Sequence, residues 1–283
     1  MNTSVEEKAV SSQDNHTRTL PRGDGEIAYE VHGAGPLVMC VPGMGELRTS
    51  YRYNVRPLVE AGFRVATMDL RGHGDSDATF EAYDDVAAGS DLLALVEELG
   101  AGPALVVGSS MGAGAAVWAA AERPDLVAGV ALLGPFVRQV PINPVMAWAF
   151  RVAMSGPWAT TVWHSYLPSL YPGRKPADFA EHRAAIRASM RRPGHAKAFT
   201  ATTRTSHAPA EARLPAVQAP ALVVMGTADP DFKDPAAEAA WIVEHLRDAE
   251  QLLVEGAGHY PQAEEPDTVN PALVAFAKRV LGA

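Results

Sequence analysis

Gly108-Ser109-Ser110-Met111-Gly112 places a serine between two glycines, where an apolar run meets an alanine-rich one. A serine hydroxyl held clear of its neighbours attacks a carbonyl carbon once a nearby base takes its proton. The run before it, 104–107, reads as a short buried strand. The run after it, 113–121, has no internal proline and reads as a helix that Pro124 stops. Strand, sharp G-x-S-x-G turn and helix together make the nucleophile-elbow pattern. The glycines allow the tight turn, and the helix N-terminus lies beneath Ser110. A plain Gly/Ser loop would give the same five residues, so the rest of the chain must supply a base, an acid and donors for an oxyanion.

The surrounding composition is that of an ordinary globular enzyme: 283 residues, 47% hydrophobic and 20% charged. A net charge of −9, with no basic block at either end, argues against nucleic acid or an anionic membrane as the partner. The single cysteine, Cys40, excludes an intrachain disulfide and a multi-cysteine zinc site, and its apolar surroundings read as core. No stretch is apolar for long enough to span a bilayer. The polar start, with Glu6 and Glu7, does not read as a signal peptide. The expectation is a soluble, cytoplasmic protein acting on a small molecule, and nothing in the sequence indicates an oligomeric state.

The elements that must hold Ser110 follow in order. Residues 1–16 read as a flexible tail, and 17–31 as a hairpin at a sheet edge. The apolar run 37–41 is the first buried strand and ends at Pro42-Gly43-Met44-Gly45. Strands at 64–69, 104–107, 127–133, 221–225 and 251–254 alternate with helices at about 51–61, 83–99, 113–121, 236–246 and 270–280. That alternation implies a mostly parallel sheet with helices on both faces. Between 136 and 215 the rhythm breaks into helical patches, dividing the chain into core segments 17–135 and 216–283 around an insertion. An insertion leaving the sheet at that point predicts a lid over the carboxyl ends of the strands, where open α/β sheets bind their ligands. Its Trp148, Trp158, Trp163 and Tyr166 are candidates for an apolar substrate pocket.

Four landmarks in register carry a resemblance: Pro42–Gly45, the loop Asp69-Leu70-Arg71-Gly72-His73-Gly74-Asp75-Ser76, the elbow, and a late acid and histidine. The chain resembles the α/β-hydrolase superfamily, in its serine-nucleophile, lid-containing esterase- or haloperoxidase-like branch, from about residue 17 onward. That resemblance implies Ser110 as nucleophile, with His259 as base, the one histidine of nine that follows the last strand. In the chain order Ser, acid, His, it implies Asp229 as the acid, with Asp231 next and Asp234, just before Pro235, reading as a helix cap. The backbone amides of Met44 and Met111 would form the oxyanion hole. Pro42 stands where the family usually has a histidine, so that histidine's bracing of the loop is missing. The Asp69–Ser76 loop is structural in the family, and neither a metal nor any other cofactor is expected. The implied activity is cleavage of an ester, lactone or thioester of moderate apolarity through an acyl-enzyme on Ser110. The same triad also serves carbon–carbon bond hydrolases and cofactor-free haloperoxidases, and some receptors keep it. Dehalogenases and epoxide hydrolases of this fold carry aspartate at the elbow instead.

Overall fold

The computed structural model describes residues 16–140 and 143–282, so the tail expected at 1–16 lies, but for His16, outside them. Eight strands form one sheet: β1 (Arg18–Arg22), β2 (Gly25–His32), β3 (Leu37–Val41), β4 (Arg64–Met68), β5 (Ala104–Ser109), β6 (Val127–Leu133), β7 (Ala221–Gly226) and β8 (Ala249–Val254). Their spatial order is β1-β2-β4-β3-β5-β6-β7-β8. β1 and β2 form an antiparallel hairpin, and β2 runs antiparallel to β4. All other neighbours are parallel, which aligns their carboxyl ends along one edge.

Period-two side-chain alternation builds both faces. Leu37, Met39 and Val41 of β3 enter the core on one side, with Leu92, Leu95 and Val96 of α2 (Asp85–Leu99) and Val117 of α3 (Met111–Glu122). Val38 and Cys40 enter the other, with Leu58 of α1 (Val55–Glu60) and Leu273 and Phe276 of α11 (Pro266–Leu281). Cys40 is fully buried, and burial pushes its thiol pKa up. Capping fixes the helix ends. Asp84 accepts from the Ala87 amide at the start of α2, and Gly100 closes it in the left-handed region at φ 57°. Asp234 does cap α9 (Pro235–His245), accepting from Ala237 N–H. The helix expected at 51–61 is instead a 3₁₀ turn, Arg48–Tyr51, followed by the six-residue α1.

Between β6 and β7 the chain forms α4 (Pro144–Ala153), α5 (Ala159–Tyr166), α6 (Phe179–Met190), α7 (His195–Thr202) and α8 (Ala208–Glu211), with no strand among the described residues. Trp163, Leu167, Ile186, Met190 and Phe199 make a separate apolar cluster there, which also takes in Tyr260 and Ala263 near the end of the chain. Ala263 belongs to the short α10 (Pro261–Glu264). α4 buries none of its residues. No described helix is long and apolar enough to cross a membrane.

Candidate active site

Ser110 sits between the end of β5 and the start of α3, at φ 54° and ψ −122°, and is the one non-glycine residue with positive φ among the described residues. That conformation is strained for a residue with a Cβ and is held from both sides. Ser110 N–H donates to Leu133 O (2.9 Å), while the Ala113 and Phe136 amides both donate to Ser110 O (3.0 and 3.2 Å). Two glycines are required by close approach. A Cβ on Gly43 would lie 2.6 Å from Ser110 Cβ, and one on Gly112 would run into the Val41 carbonyl. The elbow is therefore packed directly against the turn that follows β3.

The end of β6 joins the elbow to His259. Gly134 packs against the His259 backbone and ring, and the Phe136 ring lies 5.6 Å from the imidazole. His259 Nδ1 meets Asp229 Oδ2 at 2.8 Å, and both side chains are almost wholly buried. Asp229 follows β7, and its Oδ1 accepts the Asp231 amide. Asp231 Oδ2 is also 3.7 Å from Nδ1, while Tyr166 Oη, at the end of α5, donates to Asp231 Oδ1. Ser110 Oγ makes no hydrogen bond to the imidazole here. In free enzymes that contact is commonly long and tightens on the substrate. The loop carrying His259 is tied down at both ends. His259 N–H donates to Leu170 O, and Gly258 N–H donates to Glu264 Oε1 (2.7 Å), whose other oxygen accepts from Gly173. Burial pushes the Glu264 carboxyl up to about 7.

Burial alone would depress the His259 pKa. Asp229, with smaller contributions from Asp231 and Glu46, outweighs it and raises the value to about 9. Burial likewise raises the Asp231 carboxyl. Asp229, Asp231 and His259 are the one group among the described residues whose atoms converge as metal ligands would. Their free atoms are largely committed to each other, to the Asp231 amide and to Tyr166, an arrangement that fits acid–base work.

Met44 and Met111 lie on the two turns that Gly43 brings together. Met111 is the first residue of α3, so its N–H has no intrahelical acceptor, and no described residue accepts from Met44 N–H. Three contacts hold the turn of Met44, and sequence reading named none of them. Gly45 N–H donates to His73 Nε2 (3.0 Å), and Trp163 Nε1 donates to Gly45 O (3.3 Å). Glu46, fully buried, pairs with His182 Nε2 of α6 at 2.7 Å. The loop bracing lost with Pro42 is thus supplied from elsewhere. The histidine in the Asp69–Ser76 loop was the one available signal. His73 Nδ1–H donates to Arg71 O, and burial lowers its pKa to about 4, which keeps Nε2 an acceptor. Of the four aromatics expected around a pocket, Trp163 and Tyr166 reach the site. Trp148 and Trp158 do not: they are 67% and 52% exposed, and α4, which carries Trp148, buries none of its residues.

Several known proteins share this architecture. Epoxide hydrolase 3 of Siraitia grosvenorii is 34% identical over 125 residues, a match covering 43% of this chain and only 39% of that protein. Epoxide hydrolase A of Mycobacterium tuberculosis is 27% identical over 298 aligned positions, spanning 85% of this chain and 90% of that one. A bromoperoxidase from Bacillus anthracis superposes with a TM-score of 0.79 at 23% identity, covering 93% of this chain and all of that one, which establishes a common fold. The family model for the alpha/beta hydrolase family matches residues 31–272, and the chain belongs to that family.

Proposed function

We propose that the chain is a serine hydrolase that cleaves an ester, lactone or thioester through an acyl-enzyme on Ser110. The observation that carries this reading is the strained Ser110 turn, set beside a buried imidazole whose Nδ1 is already paired with a carboxylate. Ser110 Oγ attacks the carbonyl carbon, and His259 Nε2 takes its proton and passes it to the leaving oxygen or sulfur. Asp229 keeps the second proton on Nδ1 and stabilises the imidazolium. The amides of Met44 and Met111 hold the oxyanion, each worth about 3–4 kcal/mol in a comparable enzyme. Water deprotonated by His259 then releases the acid. The helices between β6 and β7 act as a lid over the strand ends, and α5 and α6 reach down to the site through Trp163, Tyr166 and His182.

The relatives named epoxide hydrolases do not redirect this reading, because the elbow here carries serine where epoxide hydrolases of this fold carry aspartate. A fluorophosphonate probe tests it. Stoichiometric labelling that maps to Ser110 and is absent from Ser110→Ala is expected, and no labelling of the wild type would overturn it. A smaller effect is expected at His73. His73→Phe removes the acceptor for Gly45 N–H, so kcat should fall about tenfold with KM nearly unchanged. Equal kinetic constants for variant and wild type would show that the Met44 turn holds its place without this bond.

A further inference from the structure

Apart from His259 itself, the buried charged groups that act on the imidazole beside Ser110 have one sign. The charged groups that act most strongly on His259 are Asp229, Asp231 and Glu46, all carboxylates. Glu46 Oε1 is buried with no hydrogen-bond partner, so its charge is not fully compensated by His182. Among the described residues Arg48 is the one buried lysine or arginine, and Glu30, Asp69 and Asp75 already surround its guanidinium. The partly buried arginines near the insertion are also engaged: Arg52 with Asp178, Arg138 with Glu238 and Arg183 with His164 O. His73 stays uncharged near neutrality. The imidazolium of His259 is the cation the cluster does contain, and two carboxylates lie 2.8 and 3.7 Å from its Nδ1.

A carboxylate entering this site would lose its hydration without gaining a counter-ion, a cost of several kcal/mol for a buried unpaired charge. The apolar cluster above it, with Trp163 and Phe199 ring centroids 5.6 Å apart, offers no compensation. Resting on the serine-hydrolase reading, we propose that the substrate is uncharged on its acyl side, a neutral ester or lactone, and that the same carboxylates expel the acid it yields. In the releasing step the water oxygen bonds to the acyl carbon while the bond to Ser110 Oγ breaks. Water gives one proton to His259 Nε2, which passes it to Ser110 Oγ as that bond breaks. The new carboxylic acid then gives its remaining proton to His259 Nε2, from which solvent removes it, leaving a carboxylate beside Asp229 and Asp231.

Three ethyl esters of similar length separate charge from shape: ethyl butyrate, diethyl succinate and monoethyl succinate, assayed at pH 8 by ethanol release. The two neutral esters should be cleaved with kcat/KM values within about tenfold of each other. The anionic monoester should be slower by about 100-fold or more, with little relief from added salt because the charges are buried. In Asp231→Asn the ratio of anionic to neutral rates should rise, whatever happens to the absolute rate. Added butyrate in large excess over substrate should leave the rate unchanged. Monoethyl succinate cleaved as fast as ethyl butyrate would overturn the charge argument while leaving the hydrolase reading intact. Failure on all three esters, together with no fluorophosphonate labelling of Ser110, would overturn the hydrolase reading itself.

Discussion

Ser110→Ala should lower the rate of ester cleavage by about 10⁶-fold, the scale seen when the nucleophile of a comparable triad is removed. The size of the loss follows from the absence of a substitute. Ser109, next in the chain, is fully buried in β5, and its Oγ accepts from Gln262. It therefore faces away from the turn that presents Ser110. The variant should fold, since the backbone bonds that hold residue 110 use its N–H and C=O alone. Unchanged circular dichroism with lost turnover is the expected pair of results. A variant retaining a tenth of wild-type activity would place the reacting group elsewhere.

The two aspartates facing His259 should differ in kind. Asp229→Asn should lower kcat by about 10⁴-fold, as in a triad whose acid becomes an amide, because it leaves the imidazole in the wrong tautomer. Asp231→Asn should keep activity within about tenfold of wild type at high pH, because at 3.7 Å it acts by charge rather than by a hydrogen bond. Its signature is in the pH profile. The base must be neutral to take a proton, so wild-type kcat/KM should climb with pH toward a limb near 9. Removing the Asp231 charge makes the imidazolium less favourable and moves that limb to lower pH. Stability runs the other way: a histidine whose pKa rises from 6.5 to about 9 on folding contributes most below 6.5, and the contribution fades as pH passes 9. A larger loss in Asp231→Asn than in Asp229→Asn would exchange their roles.

The framework was legible in the sequence because its signals are local. The apolar run 37–41 became β3 with the same bounds, and G-x-S-x-G fell where β5 meets α3. The positions of Asp229 beyond β7 and His259 beyond β8 followed from the same strand pattern. Long-range pairings were not legible. Glu46 finds His182, 136 residues away, and Gly45 finds His73, 28 residues away, only once the chain has folded. Nothing in either local pattern announces the contact. The exposure of Trp148 was hidden for a related reason. A tryptophan at helical spacing signals burial only if another element covers that face, and none of the described elements buries α4. The break near Asn54 is also tertiary, because Asn54 is fully buried and its side chain bonds Gln262 O and Asn270 rather than capping a helix.

The backbone of Ser110 carries a further consequence. At φ 54° and ψ −122° it occupies a region natural to glycine, at a cost on the order of 1–3 kcal/mol for any residue with a side chain. The scaffold therefore works against the residue proposed as its nucleophile. It would be more stable with glycine at this position, and the ends of β5 and β6 must supply the restraint through Leu133 O and the Phe136 amide. Those few bonds are a weak point in the cooperative structure. Loosening there would let the serine relax to an ordinary conformation while the sheet survives. Heating should therefore abolish turnover at a lower temperature than it abolishes the circular dichroism of the sheet, and coincident loss of the two would show the turn to be as firm as its surroundings.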